Sequence, residues 1–180
     1  MVFTDRPLIG FDHVFAAVNP WRSRRSYICR FLFHWQRGHH TIAAMYETFD
    51  HTADLGLRIR AADRETMFAE AGQALTACLV DDLATVRPLH KETIEVAGDD
   101  AEYLLFDWLR EILLRFETRK MLYCEFHVTM NDSGLSAHVS GEPLDPTRHP
   151  LGHEVKAITY HGLKCERLGD EWLAEVIVDI

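Results

Sequence analysis

From residue 46 onward, apolar positions recur with regular periods that predict strands and helices. Leu55, Leu57 and Ile59 alternate with small or charged residues, which is typical of a half-buried strand. Asp63 then precedes a stretch with a helical period, so it is predicted to cap a first helix. The apolar face of that helix comprises Met67, Phe68, Ala71, Leu75, Cys78 and Leu79. The region is therefore predicted to begin with a strand and a helix.

A short strand, TIEVAG, leads to a second predicted helix. This helix is expected to begin at Asp99, because Glu102 follows three residues later, as in a capping box. Its broad apolar face comprises Leu104, Leu105, Trp108, Leu109, Ile112, Leu113 and Phe116. A face of that width indicates a helix packed on other elements.

Strand patterns dominate the rest of the sequence. MLYCEFHVTM alternates apolar and polar residues, and the turn NDSG leads into LSAHVSG, which predicts a hairpin. The patterns EVKAITYH, LKCERL and EWLAEVIVDI predict further strands. The order of elements indicates an α+β domain, with two helices packed on one face of a mixed, largely antiparallel β-sheet.

The last two predicted strands have a register that the turn between them defines. If residues 169–170 form a two-residue turn, Leu168 pairs with Glu171, and counting onward pairs Tyr160 with Asp179. The tyrosine and its neighbours would then lie beside the final residues of the sequence.

That register suggests a cluster of carboxylates. Asp179 would contribute its side chain, Ile180 a terminal carboxylate, and the acidic turn before the first strand a third group from Asp54 or Asp50. Hard cations such as Mg²⁺, Ca²⁺ and Mn²⁺ prefer clustered oxygens, although acidic strand ends are also often only solvated. Lys156, in an otherwise apolar strand, could offset this negative charge, contact a phosphate, or lie at the surface.

The first 44 residues differ from the remainder in pattern and charge. They lack a sustained period and contain six Arg against two Asp, whereas residues 45–180 contain 13 basic against 26 acidic side chains. We predict that residues 1–44 are a basic extension outside the fold, with a possible start at Met45, and that residues 45–180 form a single domain. A transit peptide and a basic arm that contacts nucleic acid are the alternatives.

Composition and missing motifs narrow the function classes. An acidic domain argues against binding to a nucleic-acid backbone as the main source of affinity. No apolar stretch approaches the roughly 20 residues of a membrane span, and the four cysteines form no C-x-x-C pair. We therefore expect a cytoplasmic protein with no membrane or DNA partner. Phosphate-loop, dinucleotide-binding and nucleophile-elbow motifs do not occur.

Three motifs together resemble one known family. YETFDHTADLGLRI, GEPLDPTRHPLGHEVKAITYHGLKCE and the final VIVDI are similar to the motifs of archeases, and the resemblance extends from about residue 46 to residue 180. It implies an accessory protein of the GTP-dependent RtcB-type RNA ligase, which promotes guanylylation of the ligase's active-site histidine and multiple turnover in tRNA splicing and RNA repair. The expected role is that of an activator and not an enzyme, with GTP or RNA contacted only indirectly if at all.

The same resemblance implies roles for individual residues. Asp54, Asp179 and the Ile180 carboxylate are expected to bind a divalent metal ion, Ca²⁺, Mg²⁺ or Mn²⁺, and to be required for activation together with Lys156. His51 and His161 are expected to support them. Two other functions stay open at this point: a stand-alone metal-dependent phosphohydrolase that uses the same carboxylates, and a chaperone-like binding module.

Overall fold

The computed structural model of this chain describes residues 28–29 and 45–180. The predictions made for the remainder of the 1–44 extension lie outside these residues, and the domain boundary at Met45 stays a prediction. In the described residues the helices are α1 (Arg64–Leu79) and α2 (Ala101–Arg119), and a short 3-10 helix spans Leu83–Thr85. The strands are β1 (Ile28–Cys29), β2 (Met45–His51), β3 (Asp54–Ala61), β4 (His90–Ala97), β5 (Met121–Asn131), β6 (Gly134–Pro143), β7 (Ala157–Leu168) and β8 (Glu171–Asp179).

These strands form two antiparallel sheets. One has the order β1-β2-β3-β8-β7 and the other the order β4-β6-β5. The predicted α+β class with two helices is confirmed, but the strands divide between two sheets instead of joining one mixed sheet. The reason is that β4 and β5 occupy both edges of β6, so the predicted hairpin completes a sheet of its own. Such long-range pairing is not visible in local periodicity.

Both helices contact both sheets. Helix α1 packs against β3 and β5, and α2 packs against β7 and β4, so the two sheets share one hydrophobic core. Trp108 of α2 is fully buried there and lies edge-on to Phe126 of β5, with ring centroids 6.1 Å apart. Its Nε1–H donates to the main-chain oxygen of Phe68 at 2.9 Å, which satisfies the one polar atom of this side chain.

Aspartate side chains cap both helices. Asp63 caps α1 as predicted, because its carboxylate accepts a hydrogen bond from the Thr66 main-chain N–H at 2.8 Å. The prediction that α2 begins at Asp99 is wrong by one residue, since Asp100 accepts the hydrogen bonds from the first turn of α2. In the described part of the chain, neither helix has the length and apolar content required to cross a membrane.

Strand β8 is an interior strand of the five-stranded sheet and lies between β3 and β7. Its residues Ala174, Val176 and Val178 are fully buried toward the helices. Burying one valine side chain stabilises the folded state by roughly 1.5–3 kcal/mol. Apolar packing on one face and hydrogen bonds along both edges therefore hold β8 in place. This position determines where the last residues of the domain lie.

The pairing of β7 with β8 is interrupted by a bulge. Leu168 pairs with Glu171 as predicted, but the predicted pairing of Tyr160 with Asp179 is wrong, because Asp179 pairs with Ala157. The register shifts between Thr159 and Lys164, where residues 160–163 lie opposite a single residue of β8. Counting residue by residue from the β7–β8 turn therefore gives the wrong partners beyond the bulge.

Replacing the two neighbouring aspartates separately tests the cap of α2. Asp100→Ala should lower the free energy of unfolding by about 1 kcal/mol, because the N–H groups of Glu102 and Tyr103 lose their acceptor. Asp99→Ala should change it by less than about 0.5 kcal/mol. Urea unfolding with an unchanged m-value measures both, and an equal or larger loss in Asp99→Ala would contradict the assignment.

Candidate functional site

Residues that were predicted to be functional lie together at one end of the five-stranded sheet. His51 at the end of β2 pairs with Asp54 at the start of β3, and Leu55 pairs with Val178. The next step in that register places Asp54 beside Asp179, at the end of β8. These three side-chain positions therefore form a row across three neighbouring strands.

The row lies on the face of the sheet that points away from the helices. Leu55 and Val178 face the core, so by alternation their neighbours Asp54 and Asp179 face outward. His51 shares this face because it is the direct cross-strand partner of Asp54. Both aspartates are half-buried, which leaves their carboxylates accessible to a ligand.

The bulge in β7 adds a second histidine to this face. The ring of His161 lies 5.3 Å from the ring of His51, measured between centroids. The preceding residue, Tyr160, points the other way and stacks on Phe106 of α2 at 3.8 Å. Successive residues of a strand point to opposite faces of the sheet, so Tyr160 and His161 diverge, and Gly162 follows them with a φ of +64° inside the bulge.

His51 has a feature that its position in the sequence does not reveal. Its Nδ1 is shielded from solvent and has no hydrogen-bond partner among the described residues. A buried nitrogen in this state normally finds a donor or a ligand. An unpaired Nδ1 is consistent with a site in which a bound ion or another molecule supplies the missing partner.

Lys156 and Ile180 flank the row. The main-chain N–H of Lys156 donates to the main-chain oxygen of Asp179 at 2.8 Å. Lys156 precedes β7 instead of lying inside it, and its exposed side chain borders a groove beside α2. Ile180 is half-buried against the core.

The predicted metal ligands can be compared with the donors that a hard divalent cation requires. Within residues 28–29 and 45–180, no three His, Cys, Asp or Glu side chains are arranged to enclose a metal ion. Asp54 and Asp179 supply carboxylate oxygens on neighbouring strands, and the carboxylate predicted at Ile180 would add to them. Mg²⁺ commonly binds one or two carboxylates and keeps several waters, so the chemistry of this set fits such an ion. The metal-ligand roles of these residues stay predictions.

The loop that leads from β6 to Lys156 is held by a buried carboxylate, which sequence reasoning missed. Glu142 accepts hydrogen bonds from Arg87 at 2.9 Å and from Arg148 at 2.5 Å, and its side chain is only 4% exposed. Hydrogen bonds from these arginines keep the pKa of Glu142 well below its usual range. His149 is fully buried, and its Nδ1 accepts a hydrogen bond from the Asp145 N–H at 3.0 Å. The histidine therefore stabilises the loop.

The same loop is attached to the end of α1 through its main chain. Gly152 donates to the Leu79 oxygen at 3.0 Å and His153 to the Cys78 oxygen at 2.7 Å. A Cβ atom at Gly152 would lie 2.6 Å from the Cys78 oxygen, so this close approach requires glycine. Lys156 therefore follows a segment that is anchored on the body of the domain.

Comparisons with known proteins agree with this architecture. A family model described as the archease protein family matches residues 46–180. A protein named archease from Methanopyrus kandleri is 42% identical over 139 residues, covering 75% of this chain and 99% of that protein. A protein named archease from Pyrococcus abyssi is 36% identical over 143 residues, covering 75% of this chain and 98% of that protein.

Two solved structures share the fold. The solution structure of protein 1598 from Methanobacterium thermoautotrophicum has a TM-score of 0.67 and 30% identity, and the match covers 75% of this chain and 98% of that one. The crystal structure of an archease from Thermotoga maritima, titled a possible chaperone, has a TM-score of 0.53 and covers 82% and 100%. The latter is 20% identical and supports the fold alone.

The Glu142 network predicts a pH-dependent stability. Glu142→Gln should lower the free energy of unfolding by about 1–3 kcal/mol at pH 7, because charge-assisted hydrogen bonds from two arginines are lost. The folded-state pKa of Glu142 lies below its unfolded value of about 4.3, so its stabilisation is complete above that value and decreases as the pH falls. The difference between wild type and variant should therefore narrow below about pH 5.

Urea unfolding at a series of pH values measures this difference. Glu125→Gln, at an exposed position of β5 outside the network, is the matched control and should show a small difference that does not change with pH. If the difference in free energy of unfolding between wild type and Glu142→Gln stayed constant or widened toward acid pH, the stabilising role assigned to the Glu142 carboxylate would be contradicted.

Proposed function

This chain belongs to the archease family, and from that premise we propose that it activates a GTP-dependent RtcB-type RNA ligase. In this proposal it is a metal-binding accessory protein, not an enzyme, which promotes guanylylation of the ligase's active-site histidine and multiple turnover in tRNA splicing or RNA repair. Its partner is the ligase itself, and GTP and RNA are contacted at most indirectly. Scattered cysteines without C-x-x-C pairs are consistent with action in the cytoplasm.

One observation carries the proposal: the sheet places Asp54 and Asp179 side by side on an open face. The β3–β8 register that brings them together includes Leu55 paired with Val178, and both of these residues are buried. Two half-buried carboxylates held on neighbouring strands repel each other unless a cation or a donor lies between them. A bound divalent cation would relieve that repulsion. It would remain accessible to a partner, because this face points away from the helices.

Each residue has a physical role in this proposal. Asp54, Asp179 and the Ile180 carboxylate hold the ion, and His51 and His161 limit the space beside it. The ion, when bound, offsets negative charge on phosphate oxygens during nucleotidyl transfer. Lys156 contributes a positive charge at the same end of the sheet, where its main chain bonds to Asp179 and its side chain extends toward α2.

The chaperone-like alternative depends on different features. The Thermotoga maritima relative is titled a possible chaperone, and such a role would depend on exposed apolar residues and not on Asp54. A stand-alone phosphohydrolase would depend on Asp54 but would turn over phosphate esters without a ligase. The experiments below separate these functions.

Removing either carboxylate should abolish activation without unfolding the domain. Asp54→Asn and Asp179→Asn should each slow ligase guanylylation by about tenfold or more, since each removes a charged ligand of the ion. Labelled GTP and a ligase of this family from the same source provide the assay, with the time course of guanylylated ligase as the readout. EDTA should have the same effect on wild type.

Asp170→Asn is the matched control, because this aspartate lies in the β7–β8 turn at the opposite end of the same two strands. It should activate as wild type does. Activation that survives Asp54→Asn, Asp179→Asn and EDTA would refute the metal-dependent proposal, and ligase-independent hydrolysis of phosphate esters would favour the phosphohydrolase.

Residues appended after Ile180 should impair activation, because they replace its carboxylate with an amide and crowd the site. An N-terminal tag of the same sequence should leave activation unchanged. Guanylylation rates for the two tagged proteins measure the difference. Equal rates would exclude the Ile180 carboxylate from the site.

A further inference from the structure

A groove of about 260 Å³ lies between α2 and the start of β7, on the opposite side of the sheet from the aspartates. Apolar side chains of Phe106, Leu114 and Ile158 line it, and so do two basic residues, Arg110 and Lys156. Leu114 is 45% exposed, which is high for a leucine beside the core. The groove therefore combines accessible apolar surface with positive charge.

The two basic side chains in the groove lack the carboxylate partners that most other basic side chains of the described residues have. Arg58, Arg115 and Arg148 each lie within 4.0 Å of a carboxylate. Across the described residues, neither Arg110 nor Lys156 forms such an ion pair. Two cations without carboxylate partners that line one groove of a strongly acidic domain indicate a local preference for an anionic group.

The groove also borders a free strand edge. Strand β7 is the last strand of the five-stranded sheet, so within the described residues its outer edge has no strand partner. An exposed edge of this kind can accept an extended peptide as an additional strand. The main chain near Ala157 would supply the hydrogen bonds, and the groove would receive alternate side chains of the peptide.

The spacing of the lining residues matches an extended peptide. Phe106, Arg110 and Leu114 are four residues apart along α2, which corresponds to about 6 Å between successive side chains. Alternate residues of a strand are about 6.6 Å apart. A peptide beside α2 could therefore place an acidic side chain at Arg110 and apolar side chains at its two neighbours.

We propose that this groove binds an extended segment of a protein partner, about five residues long, in which an acidic residue lies between two apolar residues at alternate positions. Glu117 lies at the Leu114 end of the groove and would repel a second carboxylate there, so one central acidic residue is favoured. A nucleic acid is disfavoured, since a polyanion would meet 26 acidic and only 13 basic side chains in residues 45–180. This inference does not depend on the identity of the partner enzyme.

Peptide titration of the full-length ¹⁵N-labelled protein tests the proposal. The probe is a blocked peptide, Leu-Ser-Glu-Ser-Leu, and amide shifts should be confined to α2 and the start of β7. Leu-Ser-Lys-Ser-Leu should bind about fivefold more weakly, because Arg110 and Lys156 repel its charge. A version of the first peptide with alternate N-methylated amides should also lose affinity if it pairs with the β7 edge.

Variants of the protein identify the groove as the binding site. Arg110→Glu should reverse the preference between the two peptides. Lys91→Glu is the matched control, since Lys91 is an exposed, unpaired cation on β4 of the described structure, and it should bind as wild type does. Shifts outside the groove, indifference to peptide charge, or no shift would overturn the proposal. A stronger response to inorganic triphosphate than to the peptide would identify a phosphate site and also overturn it.

Discussion

The burial of β8 between β3 and β7 is the constraint on which the arrangement of the domain depends. Its inner face supplies fully buried core residues, and its two edges align the neighbouring strands. Asp179 therefore has a defined position relative to Asp54 on one side and Ala157 on the other. A residue at the end of an unpaired segment would lack this precision, because termini commonly fray.

Two irregular segments then adapt this regular sheet to function. The bulge in β7 comprises residues 160–163, where His161 lies beside His51 and Tyr160 stacks on Phe106 of α2. The loop after β6 is fixed by Glu142 and by main-chain bonds to α1. Rigid support of this kind fixes the positions of the charged groups at this end of the sheet.

Much of the fold could be predicted because its signals are local. The Asp63 cap, the apolar helix faces and the β7–β8 turn each depend on residues close together in sequence. The division into two sheets and the bulge could not be predicted, since both depend on pairings between distant segments. Gly162 was a local signal of the bulge, but a single glycine does not show how many residues are left unpaired.

The same distinction applies to the candidate site. Motifs singled out Asp54, Asp179 and Lys156, and the structure places all three at one end of the sheet. Motifs could not show that Lys156 borders α2 whereas the aspartates lie on the opposite face. The anchoring role of Glu142 was also hidden, because a charged residue in a strand is normally solvent-exposed and its two arginine partners come from separate segments.

The interior place of β8 also determines when the fold can be completed during synthesis. Among the described elements, β8 leaves the ribosome last, yet it is the strand to which β3 and β7 both attach. The five-stranded sheet consequently cannot close cotranslationally while β8 remains in the exit tunnel, although the three-stranded sheet is already complete in the emerging chain. A chain that terminates before β8 lacks both the strand that joins β3 to β7 and Asp179, so it cannot form this end of the sheet.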